Sequence, residues 1–489
     1  MDVMSAALLG ALVAVPGFGL VLALYPPGRV GPTTRLALTV ALGYAACAFV
    51  ADGLAVAGVL RAWTFLGVLS VVTVAAWSIG VRRGSARRHL RALRRQLRAE
   101  GMSLVLGVLV VAAIAAVSIR SVSALPLAPT SFRYWADAQE LAAAGGVPAL
   151  SLHYGALYPP ATSKILLNAF NAGASFVVDD PLRAMTSLLW IGTIGVALSV
   201  WAVARELGLK LLGPLLVLLL VWNHVFLTTE ITRDLDAYRA ETVGRLVAFS
   251  AIAVGVRAVR KRRRADAAVA GVLLAAAAGT HLIPTIIAAA VLGWYAVAAV
   301  IRDRSAAPLR PLTVTAVLAV IVGGSALLLA RGDIGFEGAG APDRYAAAAT
   351  IDQTLYLHVG RVAPPHEGTW YSAPGRIYSS FVRAATGASN RPGVLGVLRI
   401  ALPVLALLVA AAMLWRAPRR IAPLGVVAAG VAATALAGAM LFSWRYDLYI
   451  LGTFGTRRLF DYAPVMMVLG ALGAVEAILL GLGRVRSWA

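Results

Sequence analysis

Thirteen apolar runs punctuate the chain, near 5–25, 36–60, 62–80, 102–119, 182–204, 211–223, 241–258, 266–280, 282–301, 311–330, 396–415, 421–443 and 459–482. Nearly all are long enough to cross about 30 Å of hydrocarbon as a helix; 211–223 is short. Apolar residues make up 60% of the 489, and charged residues only 13%. A water-soluble interior could not enclose that much apolar side chain, so lipid must be the solvent for much of the surface. The expected fold is all-α, a polytopic transmembrane helical bundle of about 13 spans. The run at 5–25 is followed at once by another, so it reads as an anchor rather than a cleaved signal peptide.

Charge orders the spans. Lys and Arg number 44 against 22 Asp and Glu, a formal charge of +22. In a soluble protein that excess would point to nucleic acid. Here it collects in short segments between spans, where it fixes orientation and meets anionic lipid, so no nucleic-acid partner is expected. The clusters are Arg82 to Arg98, Arg260 to Arg264, Arg302 to Arg310, Arg416 to Arg420, and Arg484 with Arg486. If all five are cytoplasmic, an even number of spans must separate successive clusters. The run 266–301 is interrupted at Gly279 to Pro284, which suggests either one kinked helix or a hairpin of two spans; only the hairpin keeps every interval even.

This parity places the N-terminus outside and the C-terminus inside. It makes 120–181, 224–240, 331–395 and 444–458 the outer loops. Residues 1–101 read as a three-span N-terminal addition with a basic cytoplasmic linker, and 102–482 as the core. Five of the six His residues (His153, His224, His281, His358 and His366) and most carboxylates fall outside. The expected location is the plasma membrane, with chemistry on the extracytoplasmic side. The single Cys, Cys47, excludes internal disulfides and Cys-based metal sites. Within 82–98, Leu90, Leu93 and Leu97 interleave with Arg87, Arg91, Arg94, Arg95 and Arg98 at helical spacing. That pattern fits an interfacial amphipathic helix or a solvated topogenic linker. Asp52, inside the second span, is costly in lipid; it is expected to face other helices or the outer interface.

Several outer residues carry chemistry. The first outer loop reads Ser131-Phe132-Arg133-Tyr134-Trp135-Ala136-Asp137-Ala138-Gln139-Glu140, then Gly145-Gly146-Val147-Pro148 and Leu157-Tyr158-Pro159-Pro160. Asp137 stands at the start of an amphipathic segment, 138–144. It is either a general base for an acceptor hydroxyl, with Trp135 and Tyr158 as flat faces for a sugar ring, or an N-cap of that helix. Glu230, Asp234 and Glu241 share roughly one helical face. They read as a second acid, a weak divalent site or a salt-bridged stretch. His281 lies at the break between two spans, where an imidazole could bond a phosphate oxygen or merely the broken backbone. In 331–395, His366 and Trp370, with their aromatic neighbours, suggest an acceptor clamp. His358 and His366 lack a third ligand, so zinc is not expected. Arg457 and Arg458 open the final span and suit phosphate oxygens or lipid headgroups.

An outer loop after a span, with an acid among aromatics, an amphipathic helix, Gly-Val-Pro and then Tyr-Pro-Pro, resembles the GT-C superfamily of membrane glycosyltransferases over about 102–482. The resemblance implies a GT-C-like bundle with juxtamembrane helices in the first large outer loop. It implies a polyprenyl-phosphate sugar donor, a glycan or glycolipid acceptor of the cell envelope, and inversion at the transferred sugar. By the same resemblance Asp137 is the catalytic base. Trp135, Glu140, Tyr158, Glu230, Asp234, His281, His366, Trp370, Arg457 and Arg458 are substrate-binding candidates. No cofactor is implied, and a divalent cation is not indicated. Two other readings remain open: a transporter or flippase of lipid-linked glycans, and an O-antigen ligase- or polymerase-like enzyme.

Overall fold

The computed structural model describes residues 3–84, 86–124, 129–148, 164–209 and 240–329, with 150–151, 156–157, 213–214, 238 and isolated positions between 426 and 475. The helices are α1 (Val3–Leu24), α2 (Pro32–Val56), α3 (Ala62–Arg83), α4 (Ala86–Ala124), α5 (Pro129–Ala144), α6 (Ile165–Ser175), α7 (Pro181–Glu206), α8 (Ala240–Lys261), α9 (Arg264–Thr280), α10 (Leu282–Asp303) and α11 (Leu309–Leu329). Between α5 and α6, Leu150–Ser151 pairs antiparallel with Ala156–Leu157. Among the described residues everything else regular is helical. Six helices are long and apolar enough to cross a membrane: α1, α2, α3, α7, α8 and α10 from Ile283.

Local chemistry explains where helices begin and bend. Pro32 and Pro181 occupy first-turn positions, where the missing N–H costs nothing. Asp180 caps α7 by accepting from the Leu182 and Arg183 amides at 2.9 and 3.1 Å. Gly101, at φ 46° and ψ −127°, breaks α4 into a basic half and an apolar half. His281 is extended, at φ −160° and ψ 124°, and separates α9 from α10.

Helix packing relies on close backbone approach, as expected where apolar burial alone gives no preference for protein over lipid. A Cβ on Gly17 would stand 1.8 Å from the Thr39 carbonyl oxygen, and one on Gly43 1.8 Å from that of Val13. These two glycines therefore set the α1–α2 crossing. At the centre runs α8, buried continuously from Ala240 to Val259. At the periphery α3 buries only Phe65, Leu69, Ala76 and Gly80 and exposes Trp63, Val71, Val74 and Val81. The first three helices enter the common core: Thr34 and Tyr44 of α2 bond Glu206 of α7 and Thr280 of α9.

Contacts between helix ends settle the course of the chain. Gly244 of α8 lies against His281 and Pro284, and Gly255 against Leu292, so α10 runs parallel to α8. Arg262, just before α9, pairs with Asp303 at the end of α10 at 3.3 Å. Residues 264–303 are therefore two antiparallel helices, the hairpin that charge parity requires. Thr315 of α11 donates to the Ala267 carbonyl at 3.0 Å, and Gly323 meets Ala275, which sets α11 parallel to α9.

One end of the bundle gathers three of the five basic clusters. Arg83 bonds the Ala23 carbonyl, and Gln96 bonds the carbonyls of Gly28 and Val30 at 3.1 and 3.0 Å. Arg257 and Arg260 meet Arg29 and Glu206 there, and Arg262 meets Asp303. The remaining clusters, at 416–420 and 484–486, lie outside the described residues. The opposite end is tied by the Leu60 amide on the Gly145 carbonyl at 2.8 Å, and by Arg61 on the carbonyls of Ala142 and Ala143.

Candidate functional site

The end opposite the basic clusters is built on α5 and α6. Tyr134, Ala138 and Leu141 recur at helical spacing and are buried, with Trp135 beside them. This stripe seats α5 on α6, whose residues are all buried. α5 begins at Pro129, well before the helix start expected after Asp137. Asp137 therefore lies inside the helix and cannot be its N-cap, so the capping alternative falls. Its side chain is buried, on the face that carries Tyr134 one turn earlier. The Lys164 ammonium sits 4.8 Å above the ring of Tyr134, which stands one turn before Asp137 in α5. Glu140, half-buried, stands one turn further along α5.

Beneath this helix pair lies a layer of buried hydroxyl and amide groups. The Tyr238 hydroxyl donates to Asn171 Oδ1 at 2.7 Å. Thr280 donates to the Ala276 carbonyl at 2.6 Å, so in its 2.7 Å bond with Tyr44 the tyrosine is the donor. The Tyr44 and Phe170 rings are 4.7 Å apart. Burial pushes the Tyr238 phenol well above the usual tyrosine range, and neighbouring Tyr44 and Tyr134 act in the same direction. It stays protonated and serves as a donor. His281 follows Thr280, buried against Gly244 in the first turns of α8. On that same stretch Glu241 and Arg245 form a buried ion pair at 3.0 Å.

Of the residues singled out from sequence, Asp137, Trp135, Glu140 and His281 are brought to one end of the bundle. Tyr158, Glu230, Asp234, His366, Trp370, Arg457 and Arg458 lie outside the described residues. Glu241 pairs with Arg245 within α8, and the rest of its cluster lies outside the described residues. Sequence reasoning passed over Lys164, Asn171, Tyr44, Tyr238 and Thr280. A lysine directly before the apolar run Ile165-Leu166-Leu167, with Asn168 and Asn171 following, was the available signal. Among the described residues no three His, Cys, Asp or Glu side chains converge as a metal site would require.

The basic end also holds carboxylates. Glu206 lies against Arg260, accepts from the Thr34 hydroxyl at 3.2 Å, and stands 3.9 Å from Arg257. Asp266 holds Arg257 at 3.0 Å, and Arg257 also donates to the Arg29 carbonyl. Each carboxylate here faces an arginine of the same chain, as a structural network does. Against protein-family models the chain matches none, and no curated protein matches it.

Proposed function

We propose that this protein is an inverting membrane glycosyltransferase of GT-C type, acting on the face opposite the basic loops. That face is the extracytoplasmic side of the plasma membrane. The observation that carries the reading is the placement of Asp137. It is a carboxylate inside a helix, with no capping role, buried beside Trp135 at the end of the bundle that also holds Lys164 and His281. Burying a carboxylate costs stability, and chemistry is a reason to retain one.

In this mechanism the acceptor hydroxyl approaches Asp137, which takes its proton as the acceptor oxygen attacks the anomeric carbon of the donor sugar. The bond from that carbon to the polyprenyl phosphate breaks, a glycosidic bond forms with inversion, and the phosphate leaves with the electron pair. Cations at this end stabilise the departing charge. Arg457 and Arg458 are assigned that work with His281, and Lys164 joins them on its position. Trp135, Glu140, Tyr158, His366 and Trp370 are assigned to acceptor and sugar, and Glu230 and Asp234 to the donor headgroup. A glycan flippase would favour ionisable groups halfway through its helices. Asp52, Glu241, Arg245 and Arg257 instead lie toward the ends of α2 and α8.

The test is a mass-spectrometric comparison of envelope glycolipids from cells lacking the protein, cells carrying it, and cells carrying Asp137→Asn at equal membrane level. The expected result is a glycolipid lost in the first and the third. A product restored in full by Asp137→Asn ends the assignment.

A further inference from the structure

We propose that the first half of α4, residues 86–100, is a membrane-surface helix that binds the headgroups of anionic phospholipids in the leaflet at the basic end. This inference stands apart from the glycosyltransferase reading.

The two ends of the segment fix its level. It begins just after α3, whose Val71, Val74 and Val81 are exposed as lipid-facing side chains are. It ends at Gly101, beyond which α4 exposes Val105, Val108 and Leu109 in the same manner. Both neighbours therefore meet the hydrocarbon boundary at the same end of the bundle. A helix starting and finishing at one boundary must run along it, here for about 22 Å at roughly 1.5 Å per residue. The left-handed Gly101 supplies the bend.

Three faces then have three surroundings. Ala92 and Gln96, one turn apart, rest on the α1–α2 loop: a Cβ on Gly28 would touch Ala92 at 3.6 Å, and Gln96 holds the Gly28 and Val30 carbonyls. The segment is thus docked on its own protein and is not a free linker. Leu90, Leu93 and Leu97 form a second stripe, in which Leu90 is 51% exposed. Arg87, Arg91, Arg94 and Arg98 form a third at spacings of four, three and four, flanked by Arg88 and Arg95, and all six are exposed. Against these six arginines the segment carries one acidic residue, Glu100 at its very end. A leucine stripe opened by the exposed Leu90, beside an arginine stripe and held at the hydrocarbon boundary, is complementary to acyl chains and phosphate headgroups together. A nucleic acid or an acidic protein would match the arginines but leave the leucines in water.

Deuterium exchange of the full-length protein in nanodiscs tests this. Nanodiscs of phosphatidylcholine are compared with an equimolar mixture of phosphatidylcholine and phosphatidylglycerol. Exchange of the 86–100 amides is expected to slow roughly tenfold in the mixture, while α1 and α2 stay unchanged. High salt should abolish most of the difference. Equal exchange in both nanodiscs overturns the proposal. So does protection in phosphatidylcholine by a short RNA or an acidic peptide that phosphatidylglycerol fails to match. Replacing Arg87, Arg91, Arg94 and Arg98 by Gln should remove the difference and keep the helix. Those arginines also orient the chain, so the matching Lys variant is made as well. It keeps the charge and should keep the lipid effect, and its loss there would count equally against headgroup binding.

Discussion

At the basic end, Glu206 and Asp266 face Arg257 and Arg260, and the Arg29 carbonyl and Thr34 hydroxyl complete the set. At the opposite end, neutral bonds join Tyr44 to Thr280 and Tyr238 to Asn171, beside the Glu241–Arg245 ion pair within α8. Asp137 and Lys164 stand on the helices that cover them. The ionic end joins five elements: the α1–α2 loop, α2, α7, α8 and α9. Arg257 is buried and faces both Glu206 and Asp266, so removing it leaves Asp266 buried without the arginine it faces, and that end behaves as a lock. Losing one neutral bond at the hydroxyl end costs only about 0.5–1.5 kcal/mol, far less than stranding a buried charge. One bundle thus carries a multi-helix ionic network at one end and the site proposed above at the other.

Reporter fusions can break this comparison outright, because their effect is all or none. Fusions after Arg98, Arg264, Arg304, Arg420 and Arg486 should all report cytoplasm, and fusions within 331–395 the outside. A cytoplasmic signal from 331–395 would put the proposed site on the wrong face.

Next in size is Asp137→Asn, which keeps shape and much of the hydrogen bonding but removes basicity. Turnover by membranes should fall by roughly 10²–10⁴ while donor binding persists. Near-normal turnover would move the base to Glu140, Glu230 or Asp234.

Arg257→Met sharpens the other side of the comparison. It strands Asp266, and the expected loss is about 3–5 kcal/mol, seen as a lower midpoint of thermal unfolding in detergent. The double variant Arg257→Met, Asp266→Leu should regain most of that, since an apolar pair replaces an ionic one. If the double variant is as unstable as the single, the network is more than a lock. Tyr44→Phe deletes one neutral bond and should cost only about 0.5–1.5 kcal/mol in the same assay. A loss as large as that of Arg257→Met would erase the distinction between the ends.

Much of the bundle was legible without coordinates. Hydrocarbon thickness makes span length a local property, and a cluster such as Arg260 to Arg264 declares its side without reference to neighbours. Parity between clusters even resolved Gly279 to Pro284 into two helices. The aromatic setting of Asp137 was local too, since Tyr134 and Trp135 adjoin it in sequence. Its place inside α5 was not, because Pro129 to Arg133 carry no strong periodicity and the helix start depends on docking against α6.

What the sequence determined by itself was therefore the solvent, the helical class and the division of 264–303 into two helices. Only the tertiary structure decided which polar groups meet. Lys164 reaches Tyr134, Tyr238 reaches Asn171, Glu206 reaches Arg257 and Arg260, and Gln96 reaches the α1–α2 loop. Crossing a bilayer is dictated residue by residue through transfer from water to hydrocarbon, which needs no knowledge of neighbours. A contact between helices is set by crossing geometry at positions such as Gly17 and Gly43, where a missing Cβ admits another backbone. Which backbone comes to lie there depends on the packing of the whole bundle at once.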